Sequence, residues 1–224
     1  MKIMVIADVE EASLWDYYSP KKTEGVELIL SCGDLRADYL EFLTTMVNVP
    51  LLYVRGNHDG HYDTHAPEGC IDIDDQVYNY HGLRILGLGG SYRYKQSKDM
   101  YTEAEMEKRI RKLSGTLLFT GGFDILLTHA PANGYGNLED WAHRGFDCFN
   151  DLLEKYHPAY LFHGHVHREY GDFVRQRSHP SGTQIINGYG HCIIDIPETA
   201  YPKEGETGSF FYDWYITEKK KHHW

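Results

Sequence analysis

Six runs of apolar, often β-branched residues punctuate the chain: KIMVIA, VELILS, PLLYVR, LRILGLG, FDILLT and AYLFH. Continuous apolar runs this short are expected to form strands buried on both faces. Helical patterns lie between some of them. ADYLEFLTTM spaces its apolar residues helically, with Asp38 placed to favour its N-terminal end. TEAEMEKRIRKL opens on Thr102 with Glu105 three residues on, a capping box, and its charges run from acidic to basic as the helix dipole prefers. GFDCFNDLLEKYH carries Phe146, Phe149, Leu152 and Leu153 and stops before Pro158.

The last third changes character. TQIINGYGHCIIDI and GSFFYDWYIT are expected to be strands of a hairpin-rich part, with no helix after Tyr170. Neither repeats nor linkers interrupt the pattern. The expectation is one domain over residues 1–224, α/β in class, containing more than one sheet.

Charge narrows the partners. With 22 Lys+Arg against 33 Asp+Glu the formal net charge is −11, so an extended nucleic acid is a poor partner. No segment has the length of a membrane span or the make-up of a signal peptide, which suggests a cytoplasmic protein and no membrane partner. Cys32, Cys70, Cys148 and Cys192 are widely spaced, without a paired CxxC, and are expected to be free thiols. The closing EKKKHHW is a basic cluster expected to be a solvated end without a role.

The chemistry sits where the apolar runs stop. KIMVIA ends in Asp8, and VELILSCG ends in Asp34. PLLYVRG is followed by Asn57, His58 and Asp59, FDILLT by His129, and AYLFHG by His165 and His167. In open α/β sheets the carboxyl ends of strands are where ligands bind. Imidazole, carboxylate and amide donors without thiolate suit Mn, Fe or Zn, and they are too many for one tetrahedral zinc. Two ions need a bridging group, and Asp34 is the natural candidate. A pair about 3.5–4 Å apart activates a water and clamps a phosphoryl group.

Gly33-Asp34, Gly56–Asp59 (GNHD), Thr128-His129 and Gly164–His167 (GHVH), in this order and spacing, resemble the motifs of the calcineurin-like metallophosphoesterase superfamily. THAPANGYG and LFHGHVHREYG are most similar to small prokaryotic phosphoesterases and the related brain-type phosphodiesterases. The resemblance implies two sheets packed as a sandwich, flanked by helices, with a dinuclear centre at the strand ends. Asp8, Asp34 and His167 would hold one divalent metal ion. Asp34, Asn57, His129 and His165 would hold the other, with Mn favoured over Fe or Zn. His58 would sit over the substrate phosphate and protonate the leaving oxygen, its ring fixed by Asp59. The implied reaction is phosphoester hydrolysis, preferentially of diesters, by in-line attack of a metal-bridging hydroxide on a small phosphorylated substrate. His163, two residues before His165, is expected to be a core histidine.

The pattern departs at its first motif. ADVE places Glu10 where the superfamily has histidine, so Glu10 is either a ligand or the holder of a metal-bound water. Arg36 and Arg93 are candidate anion contacts, with a solvated surface role as the alternative, and Tyr92 and Tyr94 are candidate pocket residues. The segment 92–113 is either a cap over the metals or an ordinary surface helix. Two rival functions stay open: a non-catalytic scaffold such as the retromer subunit with this fold, and a nuclease. His58 with Asp59 favours an enzyme over the scaffold, and the net charge disfavours the nuclease. Oligomeric state is left open.

Overall fold

The computed structural model describes residues 1–171 and 173–222. Its first sheet contains β1 (Lys2–Ala7), β2 (Leu28–Ser31), β3 (Leu51–Tyr53) and β4 (Ile71–Asp72). Its second begins with β5 (Gln76–Tyr80) and β6 (Leu83–Leu88). A two-stranded ribbon follows, β7 (Ser91–Tyr92) and β8 (Met100–Tyr101). The second sheet resumes with β9 (Ile125–Thr128), β10 (Tyr160–His163), β11 (Gln176–Ser178) and β12 (Gln184–Asn187), and β13 (Gly190–Asp195) returns to the first. The helices are α1 (Ala37–Val47), α2 (Glu103–Lys112), α3 (Ser114–Thr120), α4 (Asp147–Tyr156) and α5 (Phe210–His222).

The first sheet has the order β13-β1-β2-β3-β4, parallel except for β13. The second has the order β11-β12-β10-β9-β6-β5, parallel in its centre with antiparallel edges. All six apolar runs are strands of these sheets, and strand alternation explains their make-up. Ile3, Val5, Leu28 and Leu30 face Ile85, Ile125, Leu127 and Phe162 between the sheets. Met4, Ile6 and Ile29 face the opposite way, against Tyr39, Leu40 and Leu43 of α1. Leu86, Leu126 and Leu161 turn outward from the second sheet, against Met106 of α2 and Phe149, Leu152 and Leu153 of α4. The result is a two-sheet sandwich flanked by helices.

Phe162 is fully buried between the sheets and stacks on Tyr160 with ring centroids 5.5 Å apart. Phe162→Ala is expected to cost about 3–5 kcal/mol. Urea denaturation checks this; a loss below about 1 kcal/mol would contradict the packing.

The helix boundaries follow local chemistry. The Thr102–Glu105 capping box is present at α2. α4 ends at His157 in the left-handed region, just before Pro158. Asp38 lies in the first turn of α1, whose N-cap residue, Arg36, makes no side-chain cap bond. The helical part of segment 92–113, α2, is a surface helix packed on the second sheet, while its first part meets the loop of Trp141 through the Arg93 carbonyl. Met106 is buried in the outer core of the second sheet, and Arg109 bonds Asp74, Asp75 and the Gly89 carbonyl.

Two expectations fail in the last third. TQIINGYGHCIIDI makes two strands but no hairpin: β12 pairs with β10 and β11 in the second sheet and β13 with β1 in the first. GSFFYDWYIT is not a strand. It begins α5, whose Tyr212 and Ile216, four apart, are its buried positions. The lysines of EKKKHHW lie on that helix, while His223 and Trp224 fall outside the described residues. Cys32, Cys70, Cys148 and Cys192 are free thiols.

Candidate metal centre

The parallel strands deliver their C-terminal residues to one edge of the sandwich, and the loops there are bent sharply. Asp8, Asp34 and His165 all have left-handed backbone, with φ of 65°, 56° and 68°. For residues with a Cβ this conformation is strained, and such strain gathers where function demands it. Two motif glycines permit the crowding. A Cβ on Gly56 would lie 2.1 Å from Asp34 Oδ1, and one on Gly164 would lie 2.7 Å from Asp8 Oδ2.

His129 sits at the centre, fully buried after β9. Its Nδ1 is 2.9 Å from the Cys32 carbonyl oxygen, an acceptor only, so Nδ1 carries the proton. Its Nε2 therefore faces Asn57 Oδ1 at 3.0 Å and Asp34 Oδ2 at 3.3 Å. A lone pair aimed at two oxygens is repulsive unless a proton or a cation lies between them. Burial pulls the His129 pKa down, but the charge and hydrogen bond of Asp34 outweigh it and push it up to about 9. Asp34 moves the other way. Burial would raise it, yet His129 and the His58 amide hold its carboxyl well below the usual range.

His165 completes this group. Asp34, His129 and His165 bring one ligand atom each within 4.8 Å of one another, the one such cluster among the described residues. Nε2 of His165 donates to the Ala142 carbonyl at 2.9 Å, which leaves the Nδ1 lone pair for a metal. Burial, then the charge of His129, lowers its pKa to about 3, so it stays neutral as a ligand must. These residues, with Asn57, fit a borderline divalent cation.

Asp8 and His167 form a neighbouring pair. His167 Nε2 lies 3.6 Å from Asp8 Oδ1, and both Asp8 oxygens accept the His165 amide at 3.0 Å. The nearby Asp8 carboxylate raises the His167 pKa. Glu10 is placed beside this edge but outside the three-residue cluster, its Oε1 accepting the Arg36 amide at 2.9 Å.

His58 is exposed at the rim, and its backbone amide bonds Asp34 Oδ1 at 2.7 Å. Asp59 does something different from what the motif suggests. Its Oδ2 accepts the amides of Asp34 and Gly56 at 2.8 and 2.7 Å, and its buried Oδ1 has no hydrogen-bond partner among the described residues, so it does not hold the His58 ring. It ties the Asp34 and Gly56 loops together. Its pKa is pushed up to about 7 by burial and then by the charge of Asp34.

The two arginines are committed elsewhere. Arg36 forks onto Asp38, and Arg93 bonds the Met100 carbonyl and Glu105. Tyr92 belongs to the core and Tyr94 lies at the surface. His163 is buried, its Nδ1 on the Gly164 carbonyl at 2.9 Å, with its pKa lowered to about 4 chiefly by burial. Two neighbours have no motif signal: His143 packs 5.2 Å from the His165 ring and bonds Asp140 at 2.9 Å, and the Tyr189 ring lies 5.1 Å from that of His167.

Comparison with known proteins bears on this geometry. The family model described as calcineurin-like phosphoesterase matches residues 1–169, three-quarters of the chain and every residue of the cluster. The chain belongs to the calcineurin-like phosphoesterase family. It has the family's two-sheet fold. A relative, UPF0046 protein T07D4.2 of Caenorhabditis elegans, is 26% identical over 104 residues, covering 46% of this chain and 25% of the worm protein. The match thus spans only a quarter of that relative's length. One solved structure superposes with a TM-score of 0.63 at 13% identity, covering 87% of this chain and 94% of its own. That of TT1561 from Thermus thermophilus gives 0.55 at 14% identity, over 84% and 89%. At such identities both speak to the fold. Among the described residues of this family member, no helix is long and apolar enough to cross a membrane.

Proposed function

We propose that this phosphoesterase hydrolyses small phosphodiesters with two divalent cations, Mn for preference. The observation that carries the reading is His129 Nε2, held by the Cys32 carbonyl so that it points at Asn57 Oδ1 and Asp34 Oδ2 beside His165. Asp34, Asn57, His129 and His165 would hold one cation, and Asp8 and His167, with Asp34 shared, the other. Two such ions lower the pKa of a water towards neutrality and offset charge on the phosphoryl oxygens. His58, at the rim, is assigned the proton for the departing oxygen. Asp59 keeps the Asp34 and Gly56 loops in register, so its effect on turnover is through position. The net charge of −11 disfavours extended nucleic acid and is compatible with a small substrate.

The test is calorimetric titration of chelator-treated protein with Mn, followed by hydrolysis of bis-p-nitrophenyl phosphate. Uptake of two ions per chain and Mn-dependent release of p-nitrophenol are expected; saturation at one ion would remove the dinuclear reading. Glu10 is tested in the same titration. Glu10→His trades a hard oxygen for imidazole and is expected to move the Zn/Mn preference towards Zn by about tenfold or more. An unchanged preference would exclude Glu10 as a ligand.

A further inference from the structure

Between Ala132 and Phe146, which are bridged to each other, residues 133–145 form a loop without helix or strand. No ladder of backbone hydrogen bonds fixes it, yet the metal centre depends on one of its atoms. That atom is the Ala142 carbonyl oxygen, which accepts from His165 Nε2 at 2.9 Å. An imidazole can turn about χ2 and carry its proton on either nitrogen. An acceptor at a fixed place selects one choice: it holds Nε2 and leaves Nδ1 for the cluster with Asp34 and His129. Asp140 fixes that acceptor. Its Oδ1 accepts the Ala142 amide at 2.9 Å and the His143 amide at 3.1 Å, and both its oxygens accept from His143 Nδ1 at 2.9 Å. The His143 amide and the Ala142 carbonyl belong to one planar trans peptide, in which N–H and C=O point opposite ways. Asp140 grips one end of that plate and His165 meets the other.

On the reading of His165 as a metal ligand, we propose that Asp140 is a positioning residue of the metal centre. Through the rigid Ala142–His143 peptide it aims a carbonyl at His165, and so sets which ring nitrogen that ligand offers. The contacts exceed what a loop carboxylate needs for its own turn. An Asx turn takes only the amide two residues on, here that of Ala142. The further bond, to the His143 amide, is the one that orients the peptide carrying the Ala142 carbonyl. Asp140 holds this arrangement although its side chain is half exposed. The His143 ring is placed by the same carboxylate. With Nδ1 on Asp140 it packs 5.2 Å from the His165 ring, which has the His129 ring 4.8 Å away. His143 also lies 4.6 Å from the Tyr170 ring, which stacks on His167 at 4.8 Å. One turn outside both sheets thus reaches each histidine pair of the edge.

Asp140→Asn keeps an oxygen for both amides, and Asp140→Ala keeps none. Asp140 belongs to no core cluster, so both variants are expected to fold, with unchanged far-ultraviolet spectra. Two measurements on the full chain read the effect. In metal-free protein, the His165 Nε2 proton, identified by its absence from His165→Gln, should resist solvent exchange in the proton–nitrogen correlation spectra of the wild type and Asp140→Asn. In Asp140→Ala it should be lost to exchange. In calorimetric titration with Mn, Asp140→Ala should bind about 10–100-fold more weakly than the wild type, and Asp140→Asn within about threefold of it. A proton that stays protected in Asp140→Ala, an asparagine variant that fails as the alanine does, or a Mn affinity that alanine leaves unchanged overturns the inference. A wild type that binds no Mn while its proton behaves as described removes the metal reading but supports Asp140 as the residue that sets the ring, so the two failures are distinct.

Discussion

His129→Ala is expected to remove metal binding and with it hydrolysis. Its Nε2 is the donor that meets Asn57 Oδ1 and Asp34 Oδ2, so alanine deletes the centre of one ligand set. Loss of a mere supporting partner costs a metal site about 10–100-fold in affinity, and loss of this donor should exceed that. The residue is also structural. It is fully buried and its Nδ1 bonds Cys32, so alanine leaves a cavity and an orphaned carbonyl. Thermal unfolding separates the two effects. With added Mn the wild type should gain melting temperature because the ion binds only the folded state, while the variant, whatever its starting stability, should gain nothing. An Mn-dependent rise of wild-type size in the variant would show that His129 is not a ligand.

His58→Ala is expected to do the opposite: keep the metal and lose turnover. Only the backbone amide of His58 engages Asp34, and its side chain is at the exposed rim, so alanine disturbs neither the ligand loops nor the fold. A positioned acid is worth about 10²–10⁴ in rate. The loss should fall on kcat and grow as the leaving group becomes more basic, because a poor leaving group depends more on the proton. It should be smallest for p-nitrophenolate and largest for an alkoxide. Equal losses across leaving groups would mean that His58 only holds the phosphate. Undiminished kcat on every diester would dismiss it from the reaction.

The apolar runs were legible as strands because a strand buried on both faces leaves a continuous signature, and all six are present. The candidate metal-site positions were legible as a group because parallel strands put their carboxyl ends at one edge. Residues as remote as Asp8 and His165 meet there, their backbone contact 3.0 Å long. α5 was misread because FFYDWYIT is aromatic and β-prone in composition. What makes it a helix is burial of Tyr212 and Ile216 against the second sheet, a tertiary contact that overrides a local preference. Asp59 was misread for a related reason: a carboxylate beside a histidine in the chain need not face it, and here two backbone amides claim it.

By itself the sequence determined the donor types, their order and the strand ends that carry them, since periodicity and local spacing are properties of the chain. Three things were decided only by the folded molecule. The Cys32 carbonyl fixes the His129 tautomer, Arg36 and Arg93 turn away to Asp38 and Glu105, and His143 arrives beside His165. Each depends on where a hydrogen bond or a ring contact closes between loops brought together by folding. No local pattern encodes such a contact; it exists once the sheets have packed.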